Sequence, residues 1–278
     1  MTSGNLPLVS IVIPTYNRIN LLLNAIDSVK EQSYNNWELI IVDDLSTDST
    51  EEVLTQMMKT DCRIKYYRRK VDNVPGISKY LNYGIEKANG KYIARLDDDD
   101  VWCFKDKLKM QVEFLEKNPE YVLVGGGMII VDENLNEKFR YLKKEKDGDI
   151  RLSALLANPF AHVVVMFTKE AALTVGCYRN LQHAEDWDFW LRLGEIGKFF
   201  NLKEYFGKYL VAGQNKSFIY QKRQAKVILK IIKEHRKSYP GFWKGYLLNL
   251  TQYLYTFLPE IIRKRFQMFL YYFKRNHF

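Results

Sequence analysis

Four apolar runs in the first hundred residues, 9–13, 37–42, 64–67 and 92–96, alternate with segments of helical period. That order admits few folds. Strands joined by helices run parallel, and a parallel sheet is covered by helices on both faces. Leu21, Leu22, Ala25, Ile26 and Val29 recur at helical spacing after the first run. Ser49-Thr50-Glu51-Glu52 matches a capping box and predicts the start of a second helix. Residues 77–88 predict a third, ended by Asn89-Gly90. The expected fold class is α/β, with a mainly parallel central sheet. In such a sheet, ligands bind outside the carboxyl ends of the strands.

Acidic clusters stand at two of those ends. Asp43-Asp44 follows the second run, and four consecutive aspartates, Asp97 to Asp100, follow the fourth. Adjacent carboxylates repel one another, so the cluster implies a countercharge, and hard oxygen ligands suit Mg2+, Mn2+ or Ca2+. If the strand continues, alternation puts Asp97 and Asp99 on one side. A structural Ca2+ site is the alternative use, and Asp44 or Asp48 could serve only as turn or cap residues. A third acidic pair, Glu185-Asp186, opens a helical pattern over 187–193, where the helix dipole also favours acidic side chains. The glycine fingerprint of dinucleotide folds and the Gly-Lys-Ser/Thr phosphate loop are both missing. The first run leads instead into Pro14-Thr15-Tyr16-Asn17-Arg18, which is expected to end the strand at Pro14. Phosphates would then be held through a bridging cation.

Beyond residue 100 the pattern is mixed. Residues 107–117 predict a helix, 121–124 and 128–131 paired strands around Gly125-Gly126-Gly127, and 163–167 a further strand. Cys62, Cys103 and Cys177 show no paired spacing and follow no secretory-signal pattern, which predicts a reduced, cytoplasmic setting. No apolar run reaches the roughly 20 residues of a membrane-spanning helix.

Charge is uneven along the chain. The net charge is +9, yet residues 216–278 hold 14 Lys and Arg against 2 Asp and Glu. A basic amphipathic helix is expected over 216–237, followed by the uncharged stretch GYLLNLTQYLYTFLP. Arg263, Lys264, Arg265, Lys274 and Arg275 then lie among aromatics. Tyr and Trp beside Lys and Arg suit an anionic membrane surface. A packed helical cap or a homodimer interface is the alternative. Nucleic acid is not expected as a partner, because no recognised binding module accompanies the charge.

Four segments in order, VSIVIPTYNR, WELIIVDDLSTDST, NVPGISKYLNYGIEKANGKYIARLDDDD and HAEDWDFWLRL, resemble the nucleotide-sugar glycosyltransferases of family 2. The resemblance spans about residues 8–210. It implies the Rossmann-like A-type glycosyltransferase fold, with a catalytic domain over residues 1–215 and a helical extension over 216–278. The implied reaction is inverting transfer of one sugar from a nucleotide-sugar, expected to be a UDP-sugar. The implied acceptor is a hydroxyl of a lipid-linked or cell-surface glycan, and the implied location is the cytoplasmic face of the membrane.

The resemblance also implies roles for individual residues. Pro14, Tyr16, Asp43, Asp44, Lys79, Asp97 and Asp98 would contact the nucleotide, with Arg18 and Lys79 near the diphosphate. Asp97 and Asp99 would hold a divalent cation, Mn2+ or Mg2+. Asp186 would be the general base, assisted by Glu185, and His183 and Trp187 would line the acceptor site. The segment DDVWCFKDKL departs from the family pattern: it lacks the usual proline and runs one residue longer. The Gln-X-X-Arg-Trp motif of processive synthases is absent, which favours single transfer. A sugar-phosphate nucleotidyltransferase is the other enzyme reading, but PTYNR is not its glycine-rich basic loop. A non-catalytic nucleotide-sugar-binding protein would not need such intact acidic clusters.

Overall fold

The computed structural model describes residues 6–69, 76–210 and 221–259, together with Arg263 and Tyr272. Strands β1 (Val9–Thr15), β2 (Trp37–Asp43), β3 (Ile64–Arg68) and β4 (Tyr92–Arg95) lie parallel in the order β3-β2-β1-β4. Helices α1 (Ile19–Lys30), α2 (Thr50–Thr60) and α3 (Ser78–Lys87) connect them. Every residue of β1 and β2 is buried, as parallel strands covered on both faces require. β8 (Met166–Thr168) then pairs antiparallel between β4 and β6 (Tyr121–Val131), and β9 (Lys198–Leu210) runs parallel to β6. The short β5 (Val101–Trp102) closes that edge, and β7 (Glu137–Tyr141) hangs on β6.

Two apolar cores flank the sheet. Ile11, Ile13, Leu39 and Ile41 face α1 and α4 (Lys107–Lys117) on one side. Val12, Ile40 and Val42 face the other, with α3, α5 (Asp147–Ser153), α6 (Lys169–Thr174) and α7 (Glu185–Gly194). Helix α8 (Gln221–Glu234) adds Ile228, Ile231 and Ile232 to this second core. The basic helix expected from residue 216 is thus described only from Gln221, and Lys264, Arg265, Lys274 and Arg275 lie outside the described residues.

The residues from α8 onward are joined to the sheet-bearing part by polar contacts as well. Tyr239 donates to the Leu191 carbonyl (2.7 Å), and buried His235 lies 2.9 Å from Glu195 Oε1. Helix α9 (Phe242–Tyr255) presses Gly245 and Asn249 against α5 and the turn after it, and Asn249 Nδ2 donates to the Leu155 and Leu156 carbonyls. Among the described residues no helix is long and apolar enough to cross a membrane.

Several expectations change. Pro14 does not stop β1: the strand runs to Thr15, because β4 pairs only as far as Val12 and leaves no ladder bond for Pro14 to miss. Gly125 to Gly127 do not separate two strands but lie inside β6, where the register to β9 shifts. A Cβ on Gly126 would stand 2.3 Å from the Phe206 ring, so glycine lets β9 approach. Residues 163–167 form no single strand: His162–Val164 is a 3-10 turn leading into β8. Ser49 caps nothing with its side chain. Asp48 does that work twice, accepting from Thr50 N at the start of α2 (3.1 Å) and from Ile19 N at the start of α1 (3.2 Å).

Asp48→Ala should therefore cost about 1–2 kcal/mol, the usual range for losing a helix N-cap, with two helices affected. Ser49→Ala should change stability by less than about 0.5 kcal/mol. Urea unfolding of both variants checks this, and equal losses would return the cap to Ser49.

Candidate active site

The parallel strands bring the ends of β1, β2 and β4 side by side, with Thr15 beside Asp43 and Val12 beside Arg95. The loops after β1 and β2 are tied together. Asn17, with φ of 51°, donates its backbone N–H to Ser46 Oγ, and its side chain accepts from Thr47 N (2.7 Å). Asp43 is fully buried, and its carboxylate accepts from Ser46 N, Ser46 Oγ and Tyr66 OH. Its observed work is to hold the loop that presents Asp44. Asp44 is half-buried and takes a hydrogen bond from Tyr80 OH on α3. Tyr16 stands 54% exposed at the rim, while Pro14 is buried within β1. Lys79 lines a shallow groove on α3 with Arg69, Asn82, Tyr83 and Glu86.

The four aspartates do not continue a strand. The chain turns, Asp100 N donating to the Asp97 carbonyl, so strand alternation does not set their directions. Each carboxylate has its own surroundings. Asp97, 28% exposed, is paired with Arg95. Burial pushes its carboxyl up, but the charge and hydrogen bond of Arg95 overcome this and hold it below the ordinary value. Asp98 is buried and accepts from Thr15 Oγ1 (2.9 Å) and Arg18 Nη1 (3.1 Å). Asp99, 34% exposed, also takes Arg18 Nη1 (2.7 Å), yet burial and the charge of Asp97 push it up to about 6. Asp100 is buried, Oδ2 has no partner among the described residues, and burial raises it far above the ordinary value.

Arg95 is the countercharge beneath this turn. Its side chain is 2% exposed at the end of β4, and it donates to the Val12 and Leu96 carbonyls besides pairing with Asp97. His162 lies close by, its Nε2 2.9 Å from Tyr178 OH, and burial with the adjacent Arg95 charge lowers it to about 3.

Glu185 and Asp186 sit at the N-terminus of α7, after Ala184 in the left-handed region (φ 57°). Asp186 accepts from Asn158 Nδ2 (2.6 Å) and Trp187 N (2.8 Å). Glu185 is pushed up to about 8, first by burial and then by the charge of Asp186, with Asp97 adding to it. The carboxylates of the turn after β4 and those of α7 thus lie within electrostatic reach of one another. His183 is half-buried on the turn before α7. Trp187 is corrected: it is 2% exposed and donates its indole N–H to the Ala154 carbonyl (2.8 Å), so it packs in the core and offers no face to an acceptor.

Sequence reading missed Thr15, Arg95, Asn158, His162 and Tyr178. Only Arg95 left a signal, as a charge inside an apolar strand run. Asp97 and Asp99 suit a hard cation, being partly exposed carboxylates whose repulsion an ion would relieve. Among the described residues no three His, Cys, Asp or Glu side chains gather as a complete metal site. An ion there would be completed by phosphate oxygens and water, as Mg2+ commonly is.

Comparison with known proteins agrees with this geometry. The family model described as "Glycosyl transferase family 2" matches residues 10–173, more than half of the chain. EpsE of Bacillus subtilis (strain 168), provisionally named a glycosyltransferase, is 37% identical over 209 residues, 73% of this chain and 72% of its own. The amylovoran biosynthesis glycosyltransferase AmsE of Erwinia amylovora is 29% identical over 191 residues, 68% of this chain and 70% of its own. In fold, the chain matches the mannosyltransferase PcManGT of Pyrobaculum calidifontis, solved in complex with GDP-Man and Mn2+. The TM-score is 0.64 at 19% identity, over 87% of this chain and 68% of that one. The chain spans about a third of the length of three longer Rickettsia relatives. The fold is the A-type glycosyltransferase fold, and the chain belongs to glycosyltransferase family 2.

Glu185 supplies a pH test. The folded chain keeps a proton up to about pH 8 that the unfolded chain loses near the ordinary 4.5. Stability should therefore fall as pH rises through that window. Glu185→Gln removes the fall, so its melting temperature should gain on the wild type steadily from pH 5 to 8 and level off above. A difference that does not vary with pH would mean Glu185 ionises normally.

Proposed function

We propose that the chain is an inverting enzyme that moves one sugar from a nucleotide-sugar, preferentially a UDP-sugar, to a hydroxyl of a lipid-linked or cell-surface glycan. The observation that carries this is the placement of two acidic groups, Asp97 to Asp99 and Glu185-Asp186, within reach of one another beside buried Arg95 and Tyr178 and half-buried His162. Inversion needs a leaving-group site on one side of the sugar and a base on the other. The mannosyltransferase complex with GDP-Man and Mn2+ supports the donor class, and the name of AmsE supports a polysaccharide acceptor.

Asp44 and exposed Tyr16 are positioned to take the nucleoside. Asp97 and Asp99 would hold a divalent cation, Mn2+ or Mg2+. When bound, such an ion neutralises charge on the diphosphate leaving group. Asp186, its carboxylate oriented by Asn158 and Trp187 N, takes the proton from the acceptor hydroxyl. Glu185, protonated at neutral pH, is an uncharged neighbour that can donate to the acceptor.

A thermal-shift screen of nucleotide-sugars with and without Mn2+ tests the donor reading, since a bound ligand raises stability. Asp186→Asn should keep that shift and lose transfer by about 10²–10⁴-fold, the usual worth of a general base. Normal transfer by the variant, or loss of donor binding, would each contradict the role.

We further propose attachment to an anionic membrane surface, on the cytoplasmic side. Trp243, Leu247, Leu254 and Leu258 form an exposed stripe along α9 and just beyond it. Exposed Lys222, Arg223, Lys226, Lys230 and Lys233 line the adjoining α8, with Lys222 Nζ 4.1 Å from the Phe257 ring. Apolar side chains beside lysines match an interface with acidic lipid. Replacing Trp243, Leu247 and Leu254 by Ser should abolish co-sedimentation with vesicles containing phosphatidylglycerol while leaving the melting temperature nearly unchanged. Undiminished co-sedimentation would exclude this face.

A further inference from the structure

The donor-side carboxylates already hold a cation, and it is a side chain. One nitrogen, Arg18 Nη1, lies 3.1 Å from Asp98 Oδ1 and 2.7 Å from Asp99 Oδ2, bridging two carboxylates as a metal ion would. Asp98 is fixed from the other side by Thr15 Oγ1. Arg18 differs from Arg95 in its freedom: its side chain is 44% exposed, against 2% for Arg95. Its backbone, by contrast, is anchored. The Arg18 carbonyl accepts from Leu21 N and Leu22 N at the start of α1, and Asn17 before it is tied to Ser46 and Thr47. A long side chain on a fixed base can swing without moving the loop.

We propose that Arg18 is a resident cation that gives up Asp99 when metal and donor bind together, and that its guanidinium then turns to the donor diphosphate. This rests on the nucleotide-sugar reading above. The two ligands are thereby coupled. Metal alone must compete with Arg18 for Asp99. A diphosphate draws Arg18 away and so strengthens metal binding, and by linkage the metal strengthens diphosphate binding equally. Arginine suits both partners, since its guanidinium pairs with carboxylate and phosphate alike. A merely structural ion pair predicts the opposite sign: loss of Arg18 would loosen the turn and weaken the metal site.

The test is Mn2+ binding, read from the electron paramagnetic resonance of free Mn2+, for wild type, Arg18→Gln and Arg18→Lys. Each is titrated with MnCl2 alone and with MnCl2 plus UDP or GDP. Arg18→Gln should bind Mn2+ alone about two- to fivefold tighter, the scale of one partly exposed ion pair removed. It should also bind the nucleotide more weakly in the presence of Mn2+, so the synergy collapses. Arg18→Lys keeps the charge and should bind Mn2+ alone as the wild type does. Equal or weaker binding of Mn2+ alone by Arg18→Gln, while the wild type binds Mn2+ with nucleotide, overturns this proposal and leaves the functional reading intact. If the wild type binds neither Mn2+ nor nucleotide, the functional reading fails and this proposal falls with it. Melting temperatures of all three chains confirm that each is folded.

Discussion

Repulsion among carboxylates at the end of β4 is the constraint to which the rest of the site is fitted. Four acidic side chains on one turn cannot all be charged and unpaired in a partly buried place. The protein meets this from beneath and from the side. Arg95 supplies a fixed positive charge within the sheet, and Arg18 a second from the loop after β1. Thr15 adds a hydrogen bond to Asp98, and Asp99 and Asp100 are pushed toward their protonated forms. The same charges reach Glu185 on α7, so the two halves of the site share one electrostatic environment.

Much of this architecture was legible in the sequence because the relevant signals are local. The first four strands, the first four helices and the placement of acidic clusters at strand ends all follow from period and composition. The helix over 107–117 has the bounds that its apolar spacing predicts. What failed depended on neighbours distant in sequence. Pro14 reads as a strand stop until the early divergence of β4 removes the bond it lacks. The glycines of β6 read as a turn until Phe206 on β9 is seen to fill the space above them.

The site follows the same division. The acidic residue types could be found, but their directions could not, because a turn replaces the strand at Asp97. Trp187 looked like an acceptor platform by its place beside Asp186, and only the Ala154 carbonyl shows it facing inward. His162 and Tyr178 are single residues without a motif; three-dimensional proximity to Arg95 is all that marks them. Asp43 and Asp44 are adjacent in sequence yet differ in work, one bracing a loop and the other half-buried and bonded to Tyr80 on α3.

The buried Asp188 bears on how such enzymes can be cut and recombined. It sits two residues after Asp186, pairs with Arg192 and Arg179, and lies 3.6 Å from His235 on the turn that ends α8. Helix α7, which presents Glu185 and Asp186, thus meets the turn after α8 beside a buried, paired charge. The match to the family model ends at residue 173, before this helix begins. A chimaera joined near residue 215 would take His235 away and leave Arg192 and Arg179 alone to balance the buried charge. One joined just before Tyr178 would keep α7 with the extension but part it from Asn158, Ala154 and the Val175 and Cys177 carbonyls, which hold Asp186, Trp187 and Arg192.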